Sequence, residues 1–472
     1  MPPPVALVLT FVFVGALFWR DSRRNQNSGR AIWIPVIWFF VVGSKFISQW
    51  LTLFGIPVGA ASQEDGSPID AVFFFGLIIA GVVVLVRRKI SVAEFARNNV
   101  WLTVFIVYGF LAITWSDFPF VAFKRWIKTL GHPIMALVVL TDPDRIGALR
   151  RVMSRSAFLM LPLSVLFIKY YPEYGRSFDA WTGAATNSGI MNNKNELGYA
   201  CMIFGLFFLW RTLSVYRIKP FSEMRNELAI SGIFLWMVWW LLSMSDSATS
   251  LSCVILGGAT MTIVSSRIVS KRFLGTYILL GLALAITLQM SIGGYDDVLK
   301  ALGRNSTLTD RTAVWTDVIA LDDSPILGAG FESFWLGERL ERMWQKWWWH
   351  PIQAHNGYIE TYLNLGMVGE VLLVLLLLAT FRKARDELQR DLDFGRYRLG
   401  VLFAIIVYNY TEATFKGVHL VWTLFYLIAI DHPLQSVVPS TIAERPTAPP
   451  KLAPTRYTVL PGAALAPKGR VV

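Results

Sequence analysis

Apolar runs of roughly 15 to 20 residues recur along almost the whole chain, and each is about what a helix needs to cross ~30 Å of hydrocarbon. They fall near 4–19, 31–47, 69–86, 100–114, 128–140, 156–170, 195–211, 229–244, 251–265, 274–291, 357–381, 399–411 and 419–430. Backbone groups in lipid must be satisfied internally, so the runs read as helices. The pattern predicts an all-α polytopic membrane protein of twelve to thirteen transmembrane helices, the short first run deciding the number. That run opens "MPPPVALVLTFVFVGALFW" with no basic residue ahead of it, so it reads as a membrane helix rather than a cleaved leader.

Polar positions set the topology. Basic clusters at Arg20–Arg30, Arg87–Arg97, Arg145–Arg155, Arg211–Arg225, Arg267–Arg272 and Arg382–Arg398 occupy every second loop, as expected of cytoplasmic loops. The alternate loops then face outward. Two of those are long, one from about Tyr171 to Lys194 and one from about Ile292 to Asn356, and long loops in a compact domain tend to carry function. In the larger, "NSTLTDRTAVWTDVIALDD" offers Thr309 as a cap, with Ala313, Val314, Val318 and Leu321 at helical spacing. "SPILGAG" follows as a Pro/Gly stop. The organisation expected is a membrane domain over 1–436, a large outward loop at 292–356 within it, and a Pro- and Ala-rich disordered cytoplasmic tail at 437–472.

Composition agrees. The 472 residues are 54% hydrophobic and 14% aromatic, and 16% are charged against roughly 25% in soluble domains. The net charge of +12 is divided among the loop clusters, which argues against a nucleic-acid partner. Cys201 and Cys253 lie inside apolar runs and read as buried thiols rather than a disulfide. Walker loops, dinucleotide fingerprints and His-Glu-x-x-His zinc motifs do not occur, so no nucleotide cofactor or metal is expected. Nor do matching halves with broken helices, the mark of many transporters.

The chemistry-bearing residues gather on the outward side. "HPIQAHNGYIETYLNLGMVGE" (350–370) sets His355 at the entry to a span, where an imidazole can take a proton from a hydroxyl or merely tie the loop to the helix. His350 is separated from it by Pro351 and does not share a helical face for metal binding. Asn356 and Glu360 sit one turn apart and could orient His355 or cap the helix. Arg176, Arg304 and Arg311 have forks suited to phosphate, although Asp310 and Asp317 offer ordinary ion pairs. Lys194 in "NNKNELG" can meet an anionic headgroup or reach for the interface. "WSDFPFVAFKRW" (115–126) reads as an interfacial anchor, "SMSDSATS" (243–250) as a polar bend, and "KWWWHP" (346–351) as a sugar-stacking or belt feature.

In this order, "RTAVW", "SPILGAGFESF" and "HNGYIETYLNLGMVGE" resemble the O-antigen ligase and Wzy-type polysaccharide polymerase superfamily. "SGIMNNKNELG" is similar to that family's Asn-rich loop-to-helix stretch, in a form most like the succinoglycan-type exopolysaccharide polymerases. The resemblance implies a GT-C-like, metal-independent glycosyltransferase without cofactor, in the bacterial inner membrane with its site on the periplasmic side. Its substrate would be an undecaprenyl-diphosphate-linked oligosaccharide, transferred onto a sugar hydroxyl. His355 would act as base or acceptor-positioning group, and Arg311, with Arg176, Arg304 and Lys194, would meet the diphosphate. A flippase and a chain-length regulator are the partners it implies. Ligation of glycan to lipid A core is the alternative, and polysaccharide-lipid transport a third reading. Many relatives carry Ser-Arg or Ser-Lys where this chain has "SDSATS".

Overall fold

The apolar runs fold as helices. The computed structural model describes residues 1–24, 29–58, 66–178, 183–215, 221–277 and 311–431. In chain order these form α1 (Pro3–Arg24), α2 (Trp33–Gly43), α3 (Ile47–Leu53), α4 (Pro68–Arg87), α5 (Val92–Asn98), α6 (Val100–Leu111), α7 (Pro119–Thr129), α8 (Gly131–Leu140) and α9 (Arg145–Tyr170). The single turn α10 (Pro172–Gly175) leads into an antiparallel hairpin of β1 (Arg176–Phe178) and β2 (Ala185–Asn187). Then come α11 (Lys194–Ser214), α12 (Phe221–Ser245), α13 (Ala248–Ser265), α14 (Arg311–Ala320), α15 (Gly337–Lys346), α16 (Gly357–Arg390), α17 (Leu392–Thr411) and α18 (Leu420–Ala429). The chain is an all-α polytopic membrane protein.

Among the described residues seven helices are long and apolar enough to cross a membrane, and the bent pair Arg30–Gly43 and Ile47–Leu53 would make an eighth. The expected twelve to thirteen spans are therefore not all full length. Helix α6 has 12 residues and reaches only about 18 Å, and α8 and α18 have 10 each. Almost every residue of α8 and all of α18 are buried, so protein rather than lipid surrounds them and a half-length helix suffices. Most of the run at 274–291, together with Thr309, Arg304 and the tail at 437–472, lies outside the described residues.

Helices α9 and α11 form the centre, while α1, α4 and α12 expose apolar faces such as Val8, Val72 and Trp236, as lipid-facing helices do. Helices α13 and α17 approach at backbone contact. A Cβ on Gly257 would lie 2.8 Å from the Gly400 carbonyl, so only small residues fit this crossing. Cys201 and Cys253 are free and buried here.

The large loop has a small core of its own. Val314 and Val318 of α14 and Leu340 and Met343 of α15 pack on Phe334, Trp335, Ala354 and Leu363, with Leu321 against them, so of the four positions at helical spacing three face this core and Ala313 is exposed. Tryptophans of the "KWWWHP" region fasten it: Trp344 Nε1 donates to the Pro351 carbonyl (3.1 Å) and Trp347 Nε1 to Asp317 (2.9 Å).

Helix α16 is broken at Gly366, whose φ of 65° and ψ of −169° lie in a region open essentially to glycine alone. "SPILGAG" threads into the break. Ala329 and Gly330 N–H groups donate to the Leu363 and Asn364 carbonyls (both 3.0 Å), and Met367 N–H donates to the Pro325 carbonyl (2.9 Å). The groups freed by the kink are thus satisfied by the loop that must be held over it. A Cβ on Gly366 would lie 2.2 Å from the Ile326 carbonyl oxygen. Gly366→Ala is expected to destabilise the protein by about 3 kcal/mol or more, read as a lower unfolding midpoint in detergent. An unchanged midpoint would mean that the loop is not locked into the break.

Candidate functional site

Asn356 ends the loop and starts α16. Its side-chain oxygen accepts from the N–H groups of Tyr358 (3.0 Å) and Ile359 (3.1 Å), a helix cap. One residue earlier His355 has φ +53°, and Glu332 and His350 nearby are also left-handed, at +48° and +50°. Such backbone is sparsely populated outside glycine and concentrates at functional sites.

The His355 side chain is 23% exposed, and its Nδ1 faces Glu412 Oε2 at 3.5 Å and the Gln353 side-chain amide at 3.3 Å. Glu412 Oε1 accepts from Arg311 Nη2 (3.0 Å), whose other terminal nitrogen donates to the Thr411 carbonyl. Burial pushes the Glu412 carboxyl up, but the His355 hydrogen bond and the Arg311 charge outweigh it and hold it below its ordinary value. The carboxylate therefore stays ionised. An ionised carboxylate on Nδ1 favours the tautomer with its proton there, which leaves Nε2 as the basic nitrogen.

A second cluster adjoins the first. Glu360 is 1% exposed and accepts from Trp335 Nε1 (2.9 and 3.0 Å), the Ala354 N–H (3.0 Å) and Lys416 Nζ (3.2 Å). It faces a cavity of about 240 Å³ also lined by Arg125, Glu332, Trp335, Lys416 and His419. Arg125 donates to the Glu332 carbonyl, and the Glu332 carboxylate accepts from the Gly417 N–H. His355 does not line this cavity, but its neighbour Ala354 is bonded to the cavity's Glu360.

The 412–419 loop joins the clusters, supplying Glu412 to one and Lys416 and His419 to the other. It is rigid for identifiable reasons. Asn409 Oδ1 accepts from the Thr414 N–H and hydroxyl (both 3.0 Å), and His132 Nε2 meets the Gly417 carbonyl at 2.9 Å. His419 caps α18 through Nδ1 (3.1 Å to the Val421 N–H) and lies 4.6 Å from the Tyr199 ring. Burial, then the neighbouring Lys416 and His132, push its imidazole down to about 3, so it is neutral.

The structure brings His355, Arg311, Asn356 and Glu360 into one region. Arg176 is exposed on the β1 strand, opposite Asn187. Lys194 is the half-buried first residue of α11, where Asn193 accepts from the Glu196 N–H (3.0 Å) as the cap. The polar bend is a cap too: Ser247 accepts from the Ser250 N–H (3.4 Å), and Asp246 is exposed at φ +48°. Sequence reading missed Arg125, Glu332, Glu412 and Lys416. Arg125 belongs to the stretch read as an interfacial anchor, and it lines the Glu360 cavity. "TEATFKGVH" (411–419) sets Glu412, Lys416 and His419 between two apolar runs, the same signal that singled out His355. Among the described residues no group of three His, Cys, Asp or Glu side chains is arranged to hold a metal.

Residues 232–374 match the family model for O-antigen ligase. The match takes in Arg311, His355, Asn356 and Glu360 and ends before Glu412 and Lys416. The chain is also 26% identical over 335 residues to the exopolysaccharide production protein ExoQ of Rhizobium meliloti (strain 1021), covering 69% of this chain and 74% of that protein.

Proposed function

We propose that this chain, which carries an O-antigen ligase family region at 232–374, is a polysaccharide polymerase of the bacterial inner membrane. The observation that carries the reading is convergence. Arg125, Glu332, Glu360 and Lys416 line one cavity, and His355, held by Glu412 and Arg311, adjoins it through Ala354, all at the end of α16 remote from its basic terminus. By the distribution of Lys and Arg, that end is the periplasmic one.

His355 Nε2 takes the proton of an acceptor hydroxyl as the hydroxyl oxygen attacks the anomeric carbon of an undecaprenyl-diphosphate-linked oligosaccharide. The bond from that carbon to the diphosphate oxygen breaks, and the lipid diphosphate leaves with its negative charge. Arg125 and Lys416 meet that charge across the cavity and supply the compensation a metal gives in other transferases. Arg311 is a positioning residue in this scheme, since its fork holds Glu412 and Glu412 holds His355. Arg176 and Lys194 sit at the same end of the bundle: α9 and α11 both start or finish there, because their other ends contact Glu387 and Asp393 beyond the far end of α16 or close to it. They, with Arg304, are contacts for the incoming lipid-linked glycan. A flippase delivers this substrate and a chain-length regulator acts on the product.

Polymerisation rather than ligation is favoured by the relative's role in exopolysaccharide production. The family description names a ligase, and ligation of the glycan to lipid A core is the second reading. Purified protein in nanodiscs, given undecaprenyl-diphosphate-linked repeat units in the presence of EDTA, is expected to build a ladder of products. Transfer only after addition of lipid A core would establish the ligase, and no product with either acceptor would overturn both.

A further inference from the structure

A second polar cavity, which the transfer reaction does not use, has Arg150 in its lining, paired with Asp393 just past the basic end of α16. The cavity, of about 210 Å³, lies between the ends of α1, α9, α11 and α12, and five arginines line it against three carboxylates.

Within the lining the arginines outnumber the carboxylates. Glu227, with a side chain only 4% exposed, accepts from Arg20 (3.0 Å) and from both Arg24 and Arg211. One carboxylate thus serves three guanidinium groups. Asp21 is engaged with Arg155 at 2.7 Å, and Asp144 with Arg151 at 3.2 Å. Carboxylates outside the lining also take part: Arg24 meets Glu223 (3.5 Å), Arg150 pairs with Asp393 (3.0 Å) and Arg151 with Asp142 (3.3 Å). The Nε atoms of Arg150 and Arg151 are buried and have no hydrogen-bond partner among the described residues. An arginine-rich lining with unmet donors in a half-enclosed space is costly unless an anion supplies the missing acceptors.

We infer that this cavity binds a phosphate group. Several guanidinium forks converging from different helices suit the tetrahedral arrangement of phosphate oxygens, which accept two parallel N–H bonds from each fork. Leu17, Phe158 and Ile230 complete the lining, so apolar surface for an acyl chain adjoins the charged part. The phosphate can thus belong to a lipid headgroup at the membrane surface or to a free phosphate.

Delipidated protein in neutral detergent is titrated with inorganic phosphate and, separately, with short-chain phosphatidylglycerol, against phosphatidylcholine of the same chain length. The unfolding midpoint and the adducts kept in native mass spectrometry are read. The midpoint should rise with phosphate, phosphatidylglycerol or both, and not with phosphatidylcholine. Stabilisation by phosphatidylglycerol alone assigns the lipid source, and by inorganic phosphate alone the free one. Arg24→Gln should weaken binding about tenfold, the loss of one charged donor. Glu227→Gln, which frees Arg20 and Arg211 and leaves Arg24 only its longer contact with Glu223, should tighten it. Arg20 and Arg24 are 34% and 39% exposed and Glu227 keeps other partners, so Arg20→Gln and Arg24→Gln hold the fold even where Glu227→Gln does not. Stabilisation by neither anion, or unaltered binding in both arginine variants, would overturn the inference.

Discussion

Replacing His355 with asparagine is expected to slow glycan transfer by about 10²–10⁴-fold, the contribution typical of a positioned base, while leaving the yield of folded protein unchanged. Asparagine is the informative choice because residue 355 sits at φ +53°, where asparagine is tolerated and alanine is strained. The side chain is 23% exposed and lies outside the apolar core clusters, so the core that holds the fold is left intact. Product formation per minute in the nanodisc reaction, with unfolding midpoints alongside, checks it. A rate within about threefold of the native protein would remove His355 from the chemistry.

Arg311→Ala should have the largest effect on stability within the site. It leaves Glu412, 12% exposed, without its guanidinium partner, and an uncompensated buried charge costs about 3 kcal/mol or more. The pH dependence identifies the cause. In the native protein Glu412 is held low, so its stabilising contribution is present above the ordinary carboxylate value and is lost as pH falls below it. Without Arg311 only the His355 interactions oppose burial, so the folded carboxyl lies higher than in the native protein and less of that stabilisation is present at neutral pH. The deficit relative to the native protein should therefore shrink on acidification. Pairing Arg311→Met with Glu412→Gln should recover most of the midpoint but not the transfer rate, because His355 then lacks its carboxylate. A double variant as unstable as Arg311→Ala would show that the ion pair is not what the arginine supplies.

The fold was largely legible because apolar runs and helical spacing are one-dimensional properties. The face of α14 through Val314 and Val318 could be read from its period alone. The half-length helices could not, because run length does not reveal whether lipid or protein will surround a segment: α8 and α18 are short and buried. The break at Gly366 was hidden for a related reason. The apolar pattern continues across it, and only the "SPILGAG" loop, more than thirty residues upstream, shows why the backbone departs there. Within the site, His355, Asn356 and Glu360 share one window of sequence and were found together. Arg125, Glu332, Glu412 and Lys416 come from segments far apart in the chain, and their meeting is a property of the packed bundle. Arg311 illustrates both sides: its chemistry could be read locally, but its hold on Glu412, a hundred residues on, could not.

The most direct test of the central claim is a structure of the protein in nanodiscs with an undecaprenyl-diphosphate-linked donor analogue that cannot be cleaved. The account predicts the diphosphate within about 4 Å of Arg125 and Lys416, with the anomeric carbon facing His355 Nε2. A diphosphate seated elsewhere, with Lys416 still on Glu360 and Arg125 still on Glu332, would contradict it.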